Sequence, residues 1–417
     1  MKQKLLCLLC ITICFIIGCD KNEFADGVDI ARTVLFDAPL VNSADVLERA
    51  YQMATVEWIP LGPVPKLGGG YYEAGERIKG VPYSSVKEIN TYLFQDVSYH
   101  TFMTSIHNPN SVMYTDNISK EPYHGENCAP YYGSVCSSSI MWAFGISIPY
   151  SANSIIEQPF FRRLESQIVD SLKTCDILWK KGHVQMVYNT EYRADTLYAI
   201  SLFEQAGKSA HISSYSKDSF RKIWMNEHYE AYRYGDIIYT ERPKSFNSFP
   251  PIVYNDALCP SKGDRSVYRT DEVITIDIFS SDYDKIVLEK DGVVVSSDNY
   301  RVGKYQYEKL SSGIYYTYLQ SGERTTSTVS FEVVEVNVSF KRSNAGSDIM
   351  ICFSSSARAD YAVLCLQNGA SLFFPITDTD RGRGYVVVPA WNNPKYYCKV
   401  VFRCKYGGVI NKPIRVR

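Results

Sequence analysis

Tyr132-Gly133-Ser134-Val135-Cys136-Ser137-Ser138-Ser139-Ile140-Met141-Trp142-Ala143-Phe144-Gly145 is the stretch on which the reading of this chain turns. Small residues flank the cysteine, an apolar run follows, and a glycine closes it. The pattern predicts a helix over Cys136 to Phe144, stopped by Gly145. A thiol at a helix N-terminus sits in the positive end of the macrodipole, which favours the thiolate. Its first backbone amides could face a substrate oxygen, as oxyanion donors do in acyl transfer. Forty-seven residues on, Gly182-His183-Val184-Gln185-Met186-Val187 reads as a strand with an imidazole at its start. An imidazole on a rigid strand can take and return a proton. The competing reading is that Cys136 is a small core residue, as free cysteines usually are. The order of nucleophile helix, then base strand, favours a cysteine hydrolase.

A third residue should orient the histidine from the next strand, in Leu202-Phe203-Glu204-Gln205-Ala206-Gly207. Glu204 is the first choice, because a carboxylate would hold the ring and stabilise its charged form. Gln205 and Ser201 are weaker candidates, His211 weaker still, and Glu204 could equally be a solvated strand-end carboxylate. Cys128 lies eight residues before Cys136 and could pair with it or replace it as nucleophile, although Ala129-Pro130 does not start a small-residue helix. His124 reads as a loop histidine. Tyr71, Tyr72, Tyr83, Tyr131 and Tyr132 could line a cleft, and packing explains most tyrosines in a chain with 33 of them.

These stretches resemble the NlpC-type cell-wall cysteine peptidases, a branch of the papain-like superfamily. Cys136-Ser137 matches the family's nucleophile, Cys175-Asp176-Ile177-Leu178-Trp179 its second motif, and Gly182-His183-Val184-Gln185-Met186-Val187 its base strand. Gly80-Val81-Pro82-Tyr83-Ser84 stands where the family places a tyrosine-bearing loop. The resemblance runs over roughly residues 43 to 240. It implies an α+β papain-like catalytic domain, with Cys136, His183 and Glu204 catalytic, Tyr83, Ser137 and Tyr132 at the substrate, and no cofactor. It also implies cleavage of an amide in peptidoglycan stem peptides, or another envelope peptide, next to D-glutamate and before a diamino acid. The chain departs from the family at Val135, where an aspartate usually binds a free amine, at Ser138 for glycine, and at Cys175 for glycine. The last is read as packing.

Further out, Lys2 and Lys4 precede an uncharged run from Leu5 to Gly18, 14 residues long, which ends in Ile16-Ile17-Gly18-Cys19. The run is short for a membrane span and suits a signal peptide. The ending resembles a bacterial lipobox, which implies lipidation of Cys19 and a lipid-anchored protein of the cell envelope, on the periplasmic or outer-membrane side. Residues 20–42 would be a tether. With 44 basic and 45 acidic residues the net charge is −1, and no basic stripe supports nucleic-acid binding. No CxxC or His-x-x-x-His spacing supports a zinc site. Eight cysteines remain after residue 19, and their pairing cannot be read from the sequence.

Helical spacing predicts helices over Ser43–Trp58, Phe160–Lys173 and Asp218–Tyr232, with strands over Asp176–Trp179, His183–Tyr188 and Thr196–Phe203. Thr101–Pro130 reads as a long polar loop. Beyond residue 262 the chain reads as strand and turn, with a weak repeat. Asp271–Ile276 resembles Asp348–Phe353, and Asp291-Gly292 resembles Asn368-Gly369, both at an offset of 77 residues. Asp-Gly and Asn-Gly are hairpin signals. The expected organisation is a catalytic domain over 43–262, then two all-β sandwich-like modules over 263–336 and 337–417. The alternative is an inactive envelope lipoprotein that binds glycan or protein through those modules.

Overall fold

A computed structural model describes residues 40–66, 70–83, 98–115, 133–146, 151–342, 348–365, 371–376, 383–389, 396–406 and 409–416. Cys19, His124, Cys128, Tyr131, Tyr132 and Asn368-Gly369 lie outside these residues, as does the tether except its last three positions.

Five helices are described: α1 (Ser43–Thr55), α2 (Tyr99–Ile106), α3 (Val112–Thr115), α4 (Cys136–Phe144) and α5 (Lys217–Glu227). Asn42 caps α1, its side-chain oxygen accepting from Ala44 N–H at 2.8 Å. Six strands follow one another into an antiparallel sheet: β1 (Phe161–Arg163), β2 (Ile177–Lys180), β3 (His183–Arg193), β4 (Thr196–Ala206), β5 (Ser209–Ser216) and β6 (Glu230–Tyr234). Their spatial order is β5-β4-β3-β2-β6-β1. Tight turns dictate the meander from β2 to β5. Gly182 has φ 81°, Ala194 and Asp195 have φ 46° and 61°, and Gly207 has φ 62°. Positive φ in two-residue loops matches the twist of paired strands. Helix α4 packs on β3 and β4 and against α1, while α5 packs on β4 and β5. Phe220 and Trp224 of α5 bury themselves against Leu178, Val187, Ile200 and Leu202 of the sheet. Full burial of such side chains contributes about 1.5–3 kcal/mol each.

From residue 258 onward the chain forms β-sandwiches. In the first, β7 (Leu258–Pro260), β9 (Ile274–Ile278) and β12 (Gly303–Tyr307) form one sheet in the order β7-β9-β12. The other sheet runs β8 (Ser266–Arg269), β14 (Val329–Val334), β13 (Gly313–Ser321), β10 (Lys285–Lys290), β11 (Val293–Asn299). Alternate residues of both sheets meet in one core, with Ile274, Ile276 and Ile278 facing Ile286, Leu288 and Phe331. Asp291 and Gly292 close the β10–β11 hairpin with φ 53° and 76°. In the second, β15 (Val336–Arg342), β16 (Asp348–Ser355) and β19 (Arg383–Pro389) form a sheet in that order. The facing sheet runs β18 (Ser371–Pro375), β17 (Arg358–Cys365), β20 (Tyr396–Arg403), β21 (Val409–Val416). Phe353 and Phe402 join the two sheets, ring centroids 6.0 Å apart. The strands related by the 77-residue offset, β9 and β16, each sit at the centre of a three-stranded sheet.

The expected fold class, an α+β papain-like domain followed by two β modules, is corrected by the structure. The described residues hold 28 strands against five α-helices, so they are mostly β, and those from residue 258 onward form β-sandwiches. The physical reason shows at Phe160–Lys173, read above as a helix. Phe161 instead pairs with Tyr234 across the sheet edge, and Phe161 and Tyr234 each pack within 5.2–5.7 Å of the other and of Phe144 and Phe160. Aromatic side chains gain more from cross-strand neighbours than from a solvated helix face. The segment becomes β1 and a 3-10 turn at Val169–Ser171. Conversely, the start of the polar stretch read as a loop is helical, as α2 and α3, because Ser98 caps α2 and six successive residues there are buried.

Candidate active site

Cys136 is the first residue of α4, and local chemistry fixes the start of that helix. Val135, the N-cap, offers no side-chain acceptor, so Ser138 supplies one. Its Oγ accepts from Val135 N–H at 2.9 Å and is itself 2.9 Å from Ser134 Oγ. Ser139 Oγ donates back to the Cys136 carbonyl at 2.9 Å. Gly145, at φ 74°, ends the helix in the left-handed region, its N–H bonded to Trp142 O. The three serines therefore build the turn that carries the thiol. The N–H groups of this first turn have no acceptor inside the helix. Cys136 is a free thiol and is buried.

A short edge segment holds the other side of Cys136. Gly80, at φ 87°, approaches β5 so closely that a Cβ there would lie 2.0 Å from Ala210 O. Trp58 Nε1–H donates to Gly80 O at 2.9 Å, and Val81 accepts from Ala210 N–H at 2.9 Å. Tyr83 N–H donates to Lys208 O at 2.8 Å, and Ser134 N–H to Pro82 O at 3.0 Å. Tyr83 and Ser134 thus share a bridge, which brings the loop predicted to bear the substrate tyrosine beside the nucleophile turn. Burial raises the Tyr83 phenol above its usual range, and the nearby Cys136 adds to that.

His183 opens β3 directly after the turn at Gly182, paired with Lys180. Gly182 N–H donates to Asn153 Oδ1 at 2.9 Å, which pins the turn. Cys136 lies near enough to the ring to raise its imidazole. His183 Nε2 lies 3.8 Å from Glu204 Oε2. At 3.8 Å the carboxylate acts on the ring as a charge rather than as a close hydrogen-bond acceptor. Burial opposes a charge on His183, but Cys136 and Glu204 together outweigh it and lift the imidazole to about 9. Glu204 answers in kind. Contacts with His183 and His211 hold its carboxyl down to about 2 against the effect of burial.

Of the residues weighed for the orienting role, Glu204 reaches His183. Gln205 is buried and turned to the loop, its Nε2–H donating to Val81 O at 2.9 Å. Ser201 Oγ pairs with Ser214 Oγ at 2.8 Å. Ser137 is buried in the first turn of α4, and Tyr132 lies outside the described residues. Cys175 stands at φ 71°, a backbone conformation suited to glycine, and burial pushes its thiol up. Next to it, Asp176 is fully buried and takes two bonds from Arg233, each 2.7 Å, plus one from Lys173 N–H at 2.7 Å. This pair anchors β2 to β6 beneath the site.

His211 meets Glu204, a contact the sequence reading did not foresee. It lies opposite Glu204 across β4 and β5, with Nε2 3.1 Å from Oε1. The signal was present in Ala206-Gly207-Lys208-Ser209, because a two-residue turn there pairs 206 with 209 and therefore 204 with 211.

No protein-family model and no curated protein matches the chain. Among solved structures it is similar to fibronectin(III)-like modules of Clostridium thermocellum CbhA, at 11% identity over 38% of this chain and 92% of that one, with a TM-score of 0.18. It is also similar to the CD2-binding domain of CD58, at 13% identity over 37% of this chain and 96% of that one, with a TM-score of 0.21.

Proposed function

We propose that the protein is a lipid-anchored cysteine hydrolase that cleaves an amide bond in envelope peptides, with peptidoglycan stem peptides as the substrate. The observation that carries this reading is the grouping of Cys136 at the start of α4, near enough to His183 to raise its imidazole, with Glu204 Oε2 3.8 Å from His183 Nε2. In the proposed reaction His183 holds the proton of Cys136 as an imidazolium, and the thiolate attacks the amide carbonyl. The N–H of Cys136 helps hold the oxyanion. His183 then gives its proton to the leaving amine, and a thioester forms. Water enters, His183 takes its proton, and attack on the thioester releases the acid and restores the thiol. Glu204 stabilises the imidazolium form of His183 through its nearby negative charge.

The substrate class rests on the resemblance of the Cys136, Asp176 and His183 stretches to NlpC-type peptidases, which cut next to D-glutamate and before a diamino acid. Val135 removes the carboxylate that would meet a free amine, so a stem peptide with a blocked N-terminus suits this site better than a free one. The membrane anchor rests on the lipobox-like Ile16-Ile17-Gly18-Cys19. The test is incubation of the purified protein, and of its Cys136→Ala variant, with a peptidoglycan digest, followed by mass spectrometry of new amines and fragments. Fragments formed only by the wild type support the reading and name the bond. Identical digests from both proteins refute it and turn attention to what the β-sandwiches bind.

A further inference from the structure

Glu204 has two imidazole neighbours, and the second is not needed for the hydrolysis proposed above. His183 approaches Oε2 from β3 at 3.8 Å, and His211 approaches Oε1 from β5 at 3.1 Å. Both ring nitrogens of His211 face acceptors. Nδ1 is 2.9 Å from the carbonyl oxygen of Ser209, and Nε2 faces the carboxylate. A neutral imidazole has one N–H and one lone pair, so it would turn a lone pair on one of these oxygens. Only the imidazolium donates to both. The Ser209 carbonyl is fixed by the β4–β5 hairpin, where Ser209 pairs with Ala206. The ring is therefore held from behind by backbone, and it holds the carboxylate in front. Ser213 Oγ adds a longer contact to Oε1 at 3.5 Å.

We propose that His211 is a positioning residue, an imidazolium that clamps Oε1 of Glu204 so that Oε2 stays turned to His183. This deepens the hydrolase reading and rests on it for its purpose, although the clamp itself can be measured without any substrate. The geometry explains how a carboxylate at 3.8 Å keeps its aim. Without a second partner, the Glu204 side chain would gain rotamer entropy by swinging toward water. With the clamp, only one oxygen is free to face His183. The other charged and titratable groups around His183 come from different elements. Cys136 lies on α4, Glu227 acts from the end of α5, and Tyr229 acts on Glu204 from just beyond that helix. Lys180, beside His183 across the β2–β3 turn, is tied to Glu227 at 2.5 Å. None of them contacts Oε1 among the described residues.

The experiment is an NMR titration of the full chain with isotope-labelled histidines, reading the protonation of each ring nitrogen. It compares the effect of Glu204→Gln on the His183 midpoint in three backgrounds: wild type, His211→Gln and His211→Leu. Glutamine keeps a donor toward Oε1 without the charge, and leucine keeps bulk without a donor. His100 and His107 report that each variant is folded. At neutral pH both nitrogens of His211 carry protons, and Glu204→Gln abolishes this. Glu204→Gln lowers the His183 midpoint by about one pH unit or more in the wild-type and His211→Gln backgrounds. In His211→Leu the drop is less than about half as large, because the carboxylate is no longer aimed. An equal drop in all three backgrounds overturns the clamp, as does a singly protonated His211 at neutral pH. Failure of the hydrolase reading looks different. The histidines then titrate as stated while the peptidoglycan digest stays uncut.

Discussion

Replacing Glu204 by glutamine removes the charge that faces His183 and leaves the shape of the side chain. A full charge at 3.8 Å interacts with the imidazolium by about 4 kcal/mol at an effective dielectric of 20. Two features reduce this. The His183 and Glu204 side chains keep 20% and 16% of their surface in water, and Glu204 shares its charge with His211. A loss of about 1–3 kcal/mol is therefore expected, which lowers the His183 imidazole by about one to two pH units. The wild-type value of about 9, against an ordinary 6.5, sets the window. A raised imidazole stabilises the fold fully below pH 6.5, and the contribution is lost as pH rises through about 9. In the proposed site the imidazolium draws an anionic reagent to the Cys136 thiolate, so the alkaline limb of alkylation by iodoacetate marks the loss of its proton. The assay is the rate of carboxymethylation of Cys136 from pH 5 to 10, read by peptide mass spectrometry. In the wild type the limb falls near pH 9, and in Glu204→Gln it moves down by about one to two pH units. A limb that stays within about 0.3 pH units of wild type would refute the role given to Glu204.

Two further perturbations test the scaffold under the site. Asp176→Ala leaves the partly buried Arg233 guanidinium without its fully buried carboxylate, and breaking such a pair costs up to about 3–5 kcal/mol. Urea unfolding should show this as a lower midpoint with an unchanged slope, whereas a loss under about 1 kcal/mol would mean that Arg233 finds water or another partner. Gly80→Ala places a methyl 2.0 Å from Ala210 O at φ 87°, so the loop must leave β5 and carry Tyr83 and Ser134 with it. The expected result is destabilisation of about 2 kcal/mol or more together with slowed alkylation of Cys136; a Gly80→Ala protein with wild-type stability would contradict the described packing.

How much of this was legible in the sequence follows from the range of the interactions involved. Helix α4 and the turn at Gly182 are local devices, built from Ser138, Gly145 and a positive φ, and they could be read from neighbours in the chain. The pairing of Cys136 with His183 was expected from a resemblance, since their separation of 47 residues carries no local signal of nearness. The fold class did not follow. Phe161 was placed in a helix because its partner, Tyr234, lies 73 residues away, and only the folded sheet reveals that aromatic edge. His211 went unread as a partner of Glu204 for a different reason. Its distance from Glu204 in sequence hides a direct cross-strand pairing that the Gly207-Lys208 turn dictates. In the β-sandwiches the hairpin at Asp291-Gly292 was readable because a two-residue turn with positive φ admits few sequences.

The central claim is that Cys136 is a nucleophile activated by His183, and competitive thiol labelling tests it most directly. The native protein and its His183→Ala variant would be treated with iodoacetamide at pH 7, and each cysteine peptide followed by mass spectrometry. The account predicts that Cys136 reacts first, ahead of the buried Cys175 and Cys259 thiols that burial pushes up. It also predicts that His183→Ala slows Cys136 by about tenfold or more, as the thiol loses the base that takes its proton. Labelling of Cys136 at the same rate with and without His183 would contradict the account.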